Sequence, residues 1–206
     1  MRLNRRELAR AALDLVEEQG RHSLTMRQLA DRVQRRPSSL YNHVSGRQAV
    51  IEEMRALIVE GIDVSPFESA PWPEALAAWG RSYLAAFSAY PNSIPLMATT
   101  MITDHSTLRM YESVIAALIR GGWAPGDAVA AMRTVEAFVL GSALDLVAPE
   151  GLLSVASLPA DLAALHAGLS GEAGRRASAV AAFELGFGAL IEGLRNRRSD
   201  VRDPSA

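Results

Sequence analysis

The sequence predicts an all-α protein in which a small N-terminal helix-turn-helix domain precedes a larger helical domain. Apolar residues recur along the chain with the three-to-four-residue spacing of amphipathic helices, and no stretch shows the period of two that marks a half-buried strand. The 206 residues are 49% apolar, with charged residues near the average for globular proteins. Such a chain can bury a core in one or two domains.

The first two helices begin at recognisable caps. Asn4 followed by Glu7 has the spacing of a capping box, and Gly20 is placed to end the first helix. Thr25 followed by Gln28 repeats the capping pattern. The apolar spacing after Thr25 predicts a compact second helix of about two turns.

A third and a fourth helix follow in the same region. Pro37 fits the first position of a short third helix, because an N-H group at that position would have no partner within the helix. Ser45 followed by Gln48 predicts the start of the fourth helix. The apolar stripe of this fourth helix consists of Val50, Met54, Leu57 and Ile58.

A segment rich in Pro and Ser, residues 63–73, interrupts the helical pattern and predicts a domain boundary. Beyond it, helical periodicity predicts helices over about 74–90, 94–102, 106–120, 126–147 and 174–197, with a short helix near 160–167. The predicted domains are a helix-turn-helix domain (1–46), a connecting helix (47–62) and a body (63–206).

The charges are distributed unevenly along the chain. Residues 1–55 hold 11 Arg and 7 acidic residues, whereas residues 56–206 hold 10 Arg and 16 acidic residues. This asymmetry predicts an anion-binding head on an acidic body. Lys is absent throughout. Arg suits forked contacts to phosphates and bases, but its exclusive use also indicates a compositional bias, since the acidic body lacks Lys too.

The second and third helices have the spacing of a helix-turn-helix, whose second helix enters the major groove of DNA. Five residues are predicted to read bases: Arg27, Arg36, Pro37, Ser38 and Tyr41. Five are predicted to contact phosphates: Thr25, Ser39, His43, Arg47 and Arg5. Guanidinium groups can bind guanine and rings can contact thymine methyls, while helix N-termini and flanking cations hold the backbone. Taken singly, Tyr41 can instead cover a small core and His43 can be an ordinary surface residue.

The run LTMRQLADRVQRRPSSLYNHVSGRQAVIEEM, residues 24–54, resembles the DNA-binding domain of the TetR family of bacterial transcriptional repressors. The matching motif residues are Thr25, Arg27, Leu40, Tyr41, His43 and Arg47. The resemblance covers about residues 4–60. It implies a three-helix head, a connecting helix and a helical body that dimerises and binds a small effector. Val44, where many relatives have an aromatic residue, resembles the branch that includes the tetracycline repressors.

Regulators of this type bind two half-sites about one helical turn of DNA apart, so a homodimer is required. The last two long helices are predicted to form its interface, because each has a wide apolar arc. The predicted interface residues are Val139, Phe183, Phe187 and Leu190, beside a face of small residues, Ala179, Ala182, Gly186 and Ala189. Both arcs can instead pack inside one subunit.

A small-molecule pocket is predicted between residues 74 and 147, where aromatic and Met side chains gather. The residues assigned to it are Tyr83, Phe87, Met97, Met101, His105, Tyr111, Met132 and Glu136. Residues of these types can equally form an ordinary core. Glu136 and Asp145 lie in apolar helices, where a buried carboxylate needs a partner. Each either orients a ligand or pairs with an Arg such as Arg133 or Arg109.

The sequence lacks the signatures of several enzyme classes. It has no Glu-x-x-His pair, no two His residues four apart and no Gly-x-Ser-x-Gly elbow. It also lacks Cys and any run of about 20 apolar residues, so a cytoplasmic protein without disulfides or a membrane span is expected. No catalytic residue, metal site or cofactor is expected.

The predicted function is a ligand-responsive DNA-binding transcriptional regulator, and specifically a repressor. Its expected partners are a palindromic double-stranded DNA operator, a small and largely apolar effector that releases the operator, and a second copy of the chain. The alternative is a DNA-binding dimer without a small-molecule effector. A body without a sizeable cavity would favour this alternative.

Overall fold

The computed structural model describes residues 3–148 and 155–200, and these residues contain helices and no strand. The α-helices in the described residues are α1 (Arg5–Gln19), α2 (Met26–Arg32), α3 (Pro37–Leu40), α4 (Arg47–Val59), α5 (Pro66–Ser69), α6 (Trp72–Ser88), α7 (Ile94–Ala98), α8 (His105–Arg120), α9 (Pro125–Leu146), α10 (Ala163–Leu169), α11 (Gly171–Arg176) and α12 (Ala179–Asp200). Short 3-10 turns lie at Arg21–Ser23, Pro91–Ser93 and Val155–Ser157. The predicted all-α class is confirmed.

The capping box at the start of α1 forms as predicted. The Asn4 side chain accepts the Glu7 N-H at 2.8 Å, and the Glu7 carboxylate accepts the Asn4 N-H at 3.1 Å. At the other end, the Gly20 N-H binds the Val16 carbonyl at 2.8 Å. Gly20 has a φ of +81°, a conformation that glycine adopts without steric cost.

Two further helix starts differ in detail from the predictions. Thr25 caps α2 by accepting the Gln28 N-H at 3.1 Å, but the Gln28 side chain binds the Thr25 hydroxyl and leaves the backbone N-H of Thr25 to another partner. The predicted Ser45 cap of α4 is wrong, because Gly46 occupies the cap position without a side-chain hydrogen bond. The φ of +156° at Gly46 is one that side-chain-bearing residues avoid.

Helix boundaries in the body also need correction. The segment 63–73, where the sequence predicts a domain boundary, contains α5, whose Phe67 is buried in the core. The single helix predicted over 174–197 is instead two helices, α11 and α12. The Ser178 hydroxyl accepts the Ala181 N-H at 3.3 Å, which is the N-cap pattern that starts a new helix.

The buried apolar residues of head and body form one continuous cluster. Helix α1 packs on α4, and α9 lies against α6, α8 and α12. A polar contact joins the same two regions: the Glu17 carboxylate of α1 accepts the N-H groups of Asn92 and Ser93, each at 3.0 Å. Helix α4 contacts α1 of the head and also α6, α7 and α8 of the body. A displacement of α4 would therefore change the packing of both the head and the body.

Candidate functional site

The predicted base-reading residues share one property in the structure, because all five side chains are exposed: Arg27, Arg36, Pro37, Ser38 and Tyr41. Tyr41 is 54% exposed, which rules out the alternative that it covers a small core. Its neighbour Leu40 fills that inward position instead and is fully buried. The surface of α2 and α3 therefore has the accessibility that base contacts require.

The turn between α2 and α3 sets the orientation of α3. Gln34 adopts a φ of +53°, in the left-handed region that costs a non-glycine residue roughly 1–2 kcal/mol. The Arg35 N-H then binds the Ala30 carbonyl at 2.9 Å, which closes the turn. Arg36 is the N-cap of α3, and its carbonyl accepts the Ser39 hydroxyl at 2.8 Å.

Three of the residues predicted to contact phosphates, Thr25, Ser39 and Arg47, are positioned by local hydrogen bonds. Thr25 caps α2, Ser39 binds the Arg36 carbonyl, and His43 is half-buried at the end of the α3 region. The Arg47 Nε donates to the Leu24 carbonyl at 2.8 Å. Each of these side chains lies on or next to the helix-turn-helix, so the structure brings four of the five predicted phosphate residues into one region.

Arg5, the fifth, lies on α1 and contacts Glu53 of α4 at 3.4 Å. Arg32 is also held within the protein, since its guanidinium binds both carboxylate oxygens of Glu18 at 2.5 and 2.6 Å. The hydrogen bond from Arg32 lowers the pKa of the Glu18 carboxyl. Both Arg side chains therefore form ion pairs within the protein, Arg5 with α4 and Arg32 with α1.

The body contains a cavity of about 650 Å³ between α4, α6, α7, α8 and α9. This volume lies within the range of about 300–1,000 Å³ that is typical of small-molecule sites. Six of the eight predicted pocket residues line it: Tyr83, Phe87, Met97, Tyr111, Met132 and Glu136. Exposed members of the lining lie mainly on α8 and α9, including Glu112 and Arg133, with Ala98 of α7 also exposed, so the cavity opens to solvent beside these helices.

The other two pocket assignments, Met101 and His105, are wrong. The predicted helix over 94–102 ends at Ala98, so Met101 falls in the following loop, where its side chain is 75% exposed. His105 is the first residue of α8, and its Nε2 accepts a hydrogen bond from the Arg109 Nε at 3.1 Å. Neither residue lines the cavity, although Thr100 and Ile102, on either side of Met101 in the loop, do.

Glu136 binds two tyrosine hydroxyls in the cavity wall. The Tyr83 hydroxyl donates to Glu136 Oε1 at 2.8 Å, and the Tyr111 hydroxyl donates to the same oxygen. Burial, followed by the nearby Glu136 charge, raises the pKa of Tyr83 well above its ordinary value and also raises the pKa of Tyr111. Glu136 is thus hydrogen-bonded by two phenols. Asp145 is exposed and needs no buried partner.

Arg55 is a cavity residue that the sequence analysis missed. It comes from α4, is only 4% exposed, and donates to the carbonyls of Met97 at 2.8 Å and Thr100 at 3.0 Å. It also forms a hydrogen-bonded ion pair with Glu52. Glu52 and Arg55 are a charged pair, one turn apart, beside the apolar stripe of α4. That pair was the available signal in the sequence, but α4 precedes residues 74–147, where the pocket was predicted.

Glu52 joins α4 to the loop that precedes α8. Its Oε2 accepts the Thr103 N-H at 2.6 Å, the Thr103 hydroxyl at 2.9 Å and the Asp104 N-H at 3.0 Å. Burial raises the pKa of the Glu52 carboxyl, but the hydrogen bonds from Thr103 and the charge of Arg55 outweigh burial, and the net pKa is lowered. The folded protein therefore favours the ionised form of Glu52.

The lowered pKa of Glu52 predicts a loss of stability in acid. A carboxyl whose pKa is lower in the folded state contributes stability that is present above its unfolded pKa of 4.5 and lost as the pH falls through the folded value. We expect the free energy of unfolding to fall between pH 6 and pH 3, and Glu52→Gln to make this dependence shallower. Denaturant unfolding at a series of pH values measures both slopes.

Glu18→Gln is the matched control, because Glu18 also has a lowered pKa but its ion pair with Arg32 is exposed. Solvent screens exposed pairs, so this variant is expected to change the slope less than Glu52→Gln does. Equal slopes for wild type and Glu52→Gln would contradict the assignment.

The predicted dimer residues lie inside the protomer. Val139 and Phe187 are fully buried, Phe183 is 4% exposed, and Leu190 is half-buried against the core. Phe187 stacks near Phe183 and Phe138, and Gly80 of α6 makes room for its ring. Val139, Phe183 and Phe187 are therefore not available to a partner, because the aromatic arc of α12 packs on α6 and α9, while the half-buried Leu190 stays a prediction.

The described residues contain neither a candidate membrane span nor a candidate metal-binding cluster. Residues 3–148 and 155–200 contain no helix with the length and apolar character needed to span a membrane. The same residues contain no group of three or more His, Asp or Glu side chains placed to hold a metal ion.

The body matches a known protein family, and nearly the whole chain is similar to a known repressor. The family model described as "Tetracyclin repressor-like, C-terminal domain" matches residues 65–198. The tetracycline repressor protein class A from transposon 1721 of Escherichia coli is 30% identical over 198 residues, which cover 94% of this chain and 91% of that protein.

Two solved structures extend the likeness to three dimensions. A possible TetR family transcriptional regulator from Streptomyces coelicolor A3(2) is 28% identical with a TM-score of 0.74, over 94% of this chain and 99% of that one. A TetR variant from Acinetobacter baumannii AYE in complex with minocycline is 25% identical with a TM-score of 0.71, over 96% of this chain and 99% of that one. Both proteins are similar over nearly their full length.

Proposed function

The chain belongs to the TetR family of ligand-responsive transcriptional repressors, and we propose that its Arg-rich head holds a palindromic operator until a small molecule occupies the body. Members of this family are generally transcription factors without enzymatic activity. We place this protein in the cytoplasm, without a cofactor and with no catalytic residue. The domain division into residues 1–46, 47–62 and 63–206 is part of the proposal.

The observation that carries the proposal is that one residue, Arg55, lines the cavity and belongs to the helix that supports the head. Within the body, Arg55 binds the carbonyls that precede α8. Along the same helix, Arg47 binds the Leu24 carbonyl of the head, and Glu53 and Glu60 contact Arg5 and Arg6 of α1. A ligand that displaces the α7–α8 region thus has a route of direct contacts to the head.

The coupling needs two arrangements of one dimer, of which DNA prefers one and the effector the other. Such coupling is reciprocal, so operator DNA must weaken effector binding by the same factor as the effector weakens operator binding. A relative, the A. baumannii TetR variant, was solved with minocycline, which supports a small molecule as the effector class for this chain. The cavity of about 650 Å³ argues against the alternative of a dimer without an effector.

The dimer interface is proposed on the face of α9 and α12 that the protomer leaves exposed. Large apolar side chains are exposed on or beside these two helices: Leu144, Val147, Val180 and Leu185. Ala182 and Ala189, from the small-residue face, are also exposed and permit close approach of a partner helix. Relatives in this family form dimers, and an isologous pair built on these helices would set the spacing of the two heads.

Operator binding by two Arg variants tests the proposed head. We expect Arg36→Ala to cost roughly 1–3 kcal/mol on the matched operator and to relax the preference at one base position. Arg47→Ala should weaken binding to all sequences alike and flatten the dependence of log K on log salt by about one charge. Fluorescence anisotropy on matched and base-substituted operators, over a salt series, measures both effects.

Arg32→Ala is the matched control, because Arg32 is bound to Glu18 within the head. It should leave both base preference and salt slope close to those of wild type. The division of roles is contradicted if Arg47→Ala relaxes one base position, or if Arg36→Ala affects all sequences equally.

A further inference from the structure

The cavity wall is mostly apolar, and one half-buried carboxylate in it, that of Glu136, is held by two tyrosine hydroxyls. We propose that the effector is a molecule with an apolar, ring-containing body and a protonated amine that binds Glu136. This inference rests on the proposed function, because it assumes that an effector occupies the cavity. It names the chemical class of the effector, which the relatives do not supply for this chain.

The first step concerns the donors around Glu136. The hydroxyls of Tyr83 and Tyr111 both donate to Oε1, so the three side chains form a unit whose two protons point inward to one oxygen. The pKa of each phenol is raised, so both remain protonated at neutral pH. The unit therefore carries the negative charge of one carboxylate and offers acceptor atoms to a ligand.

The second step accounts for the cations of the lining. Arg55 is buried and already engaged by Glu52 and by two carbonyls, and Asp104 lies 3.9 Å away. Its charge is therefore balanced within the wall and is not presented to a ligand. Arg133, the other Arg of the lining, is exposed on α9, and Glu112 on α8 carries the opposite charge at the same mouth.

The third step concerns the rest of the surface. Phe87, Ile94, Met97, Ile115 and Met132 give the wall an apolar character, which favours a hydrocarbon body. The volume of about 650 Å³ fits a molecule of drug size. A charged group in such surroundings is costly unless it is paired, so the amine and the Glu136 carboxylate stabilise each other inside the cavity.

Matched compounds that differ only in charge test the inference. We would use three tricyclic secondary amines that are protonated at pH 7, desipramine, nortriptyline and protriptyline, each beside its N-acetyl derivative, which is uncharged. Isothermal titration gives Kd in the absence of DNA, and anisotropy gives operator release. On wild type, at least one amine is expected to bind about 10- to 100-fold more tightly than its N-acetyl derivative, the range of a hydrogen bond to a charged group.

Two variants locate the effect. Glu136→Gln keeps an acceptor for the tyrosines and removes the charge, so it should abolish the preference for the amine while N-acetyl compounds bind as before. Glu112→Gln removes a carboxylate at the exposed mouth and should preserve the preference. Thermal unfolding of the ligand-free variants reports whether Glu136 serves only to link α6, α8 and α9.

Several outcomes would overturn the inference. These are equal or tighter binding of the N-acetyl compounds, binding by no amine, or a preference that survives Glu136→Gln. If N-acetyl compounds bind at least as tightly as the amines and release the operator, the effector class is wrong but the proposed repressor stands. If compounds of either charge fill the cavity and none changes operator affinity, the proposed ligand response itself fails.

Discussion

Arg55→Met is expected to lower the free energy of unfolding by about 3–5 kcal/mol, the cost of breaking a buried ion pair by removing one partner. The substitution keeps most of the side-chain volume but leaves the Glu52 carboxylate without its cation in a buried site. It also leaves the Met97 and Thr100 carbonyls without their donors. Urea denaturation followed by circular dichroism measures the loss.

A double variant separates the lost pair from lost packing. In Arg55→Met combined with Glu52→Gln, the remaining side chain is neutral and still accepts hydrogen bonds from Thr103. We expect this double variant to be more stable than Arg55→Met alone, with a coupling free energy of about 0.5–3 kcal/mol. Additive effects, or a loss below about 1 kcal/mol in the single variant, would contradict the contacts assigned to Arg55.

Leu185→Asp is expected to convert the proposed dimer to a monomer and to abolish high-affinity operator binding. Leu185 is 78% exposed in the protomer, so the substitution leaves the protomer core intact. In a two-fold symmetric interface it places two uncompensated carboxylates at the contact, and unfavourable charges in an interface cost several kcal/mol. The dimer dissociation constant should rise by about 100-fold or more, as measured by analytical ultracentrifugation.

Phe187→Leu provides the contrast, because Phe187 is fully buried inside the protomer. It should lower the unfolding temperature and leave the sedimentation behaviour dimeric. If Phe187→Leu dissociates the dimer while Leu185→Asp does not, the interface lies on the aromatic arc after all.

The elements that could be predicted are those set by neighbouring residues. The Asn4 and Glu7 box and Pro37 at the start of α3 each depend on contacts within about four residues, and each forms in the structure. The helix-turn-helix follows from such local signals. The Ser178 cap was equally local, and its N-cap signal would have divided the last predicted helix correctly.

The cavity in the body could be predicted only in part. Aromatic and Met content located its region, but a helix end four residues earlier than predicted removed Met101 from the wall. Arg55 joined the wall from a helix more than 40 residues distant from its carbonyl partners. The partners of Glu136 were also chosen by the fold, which brought two tyrosines from α6 and α8 to one oxygen.

The sequence by itself determined the helical class, the caps at Asn4 and Thr25 and the short helix α3, because these depend on short-range hydrogen bonds and on hydrophobic periodicity. Only the tertiary structure decided which apolar face of α12 turns inward. Periodicity cannot rank Phe187 against Leu185, since both faces are apolar. Gly80 on α6 decides in favour of Phe187, because a Cβ there would overlap its ring, and burial of the larger aromatic surface then leaves Leu185 to solvent.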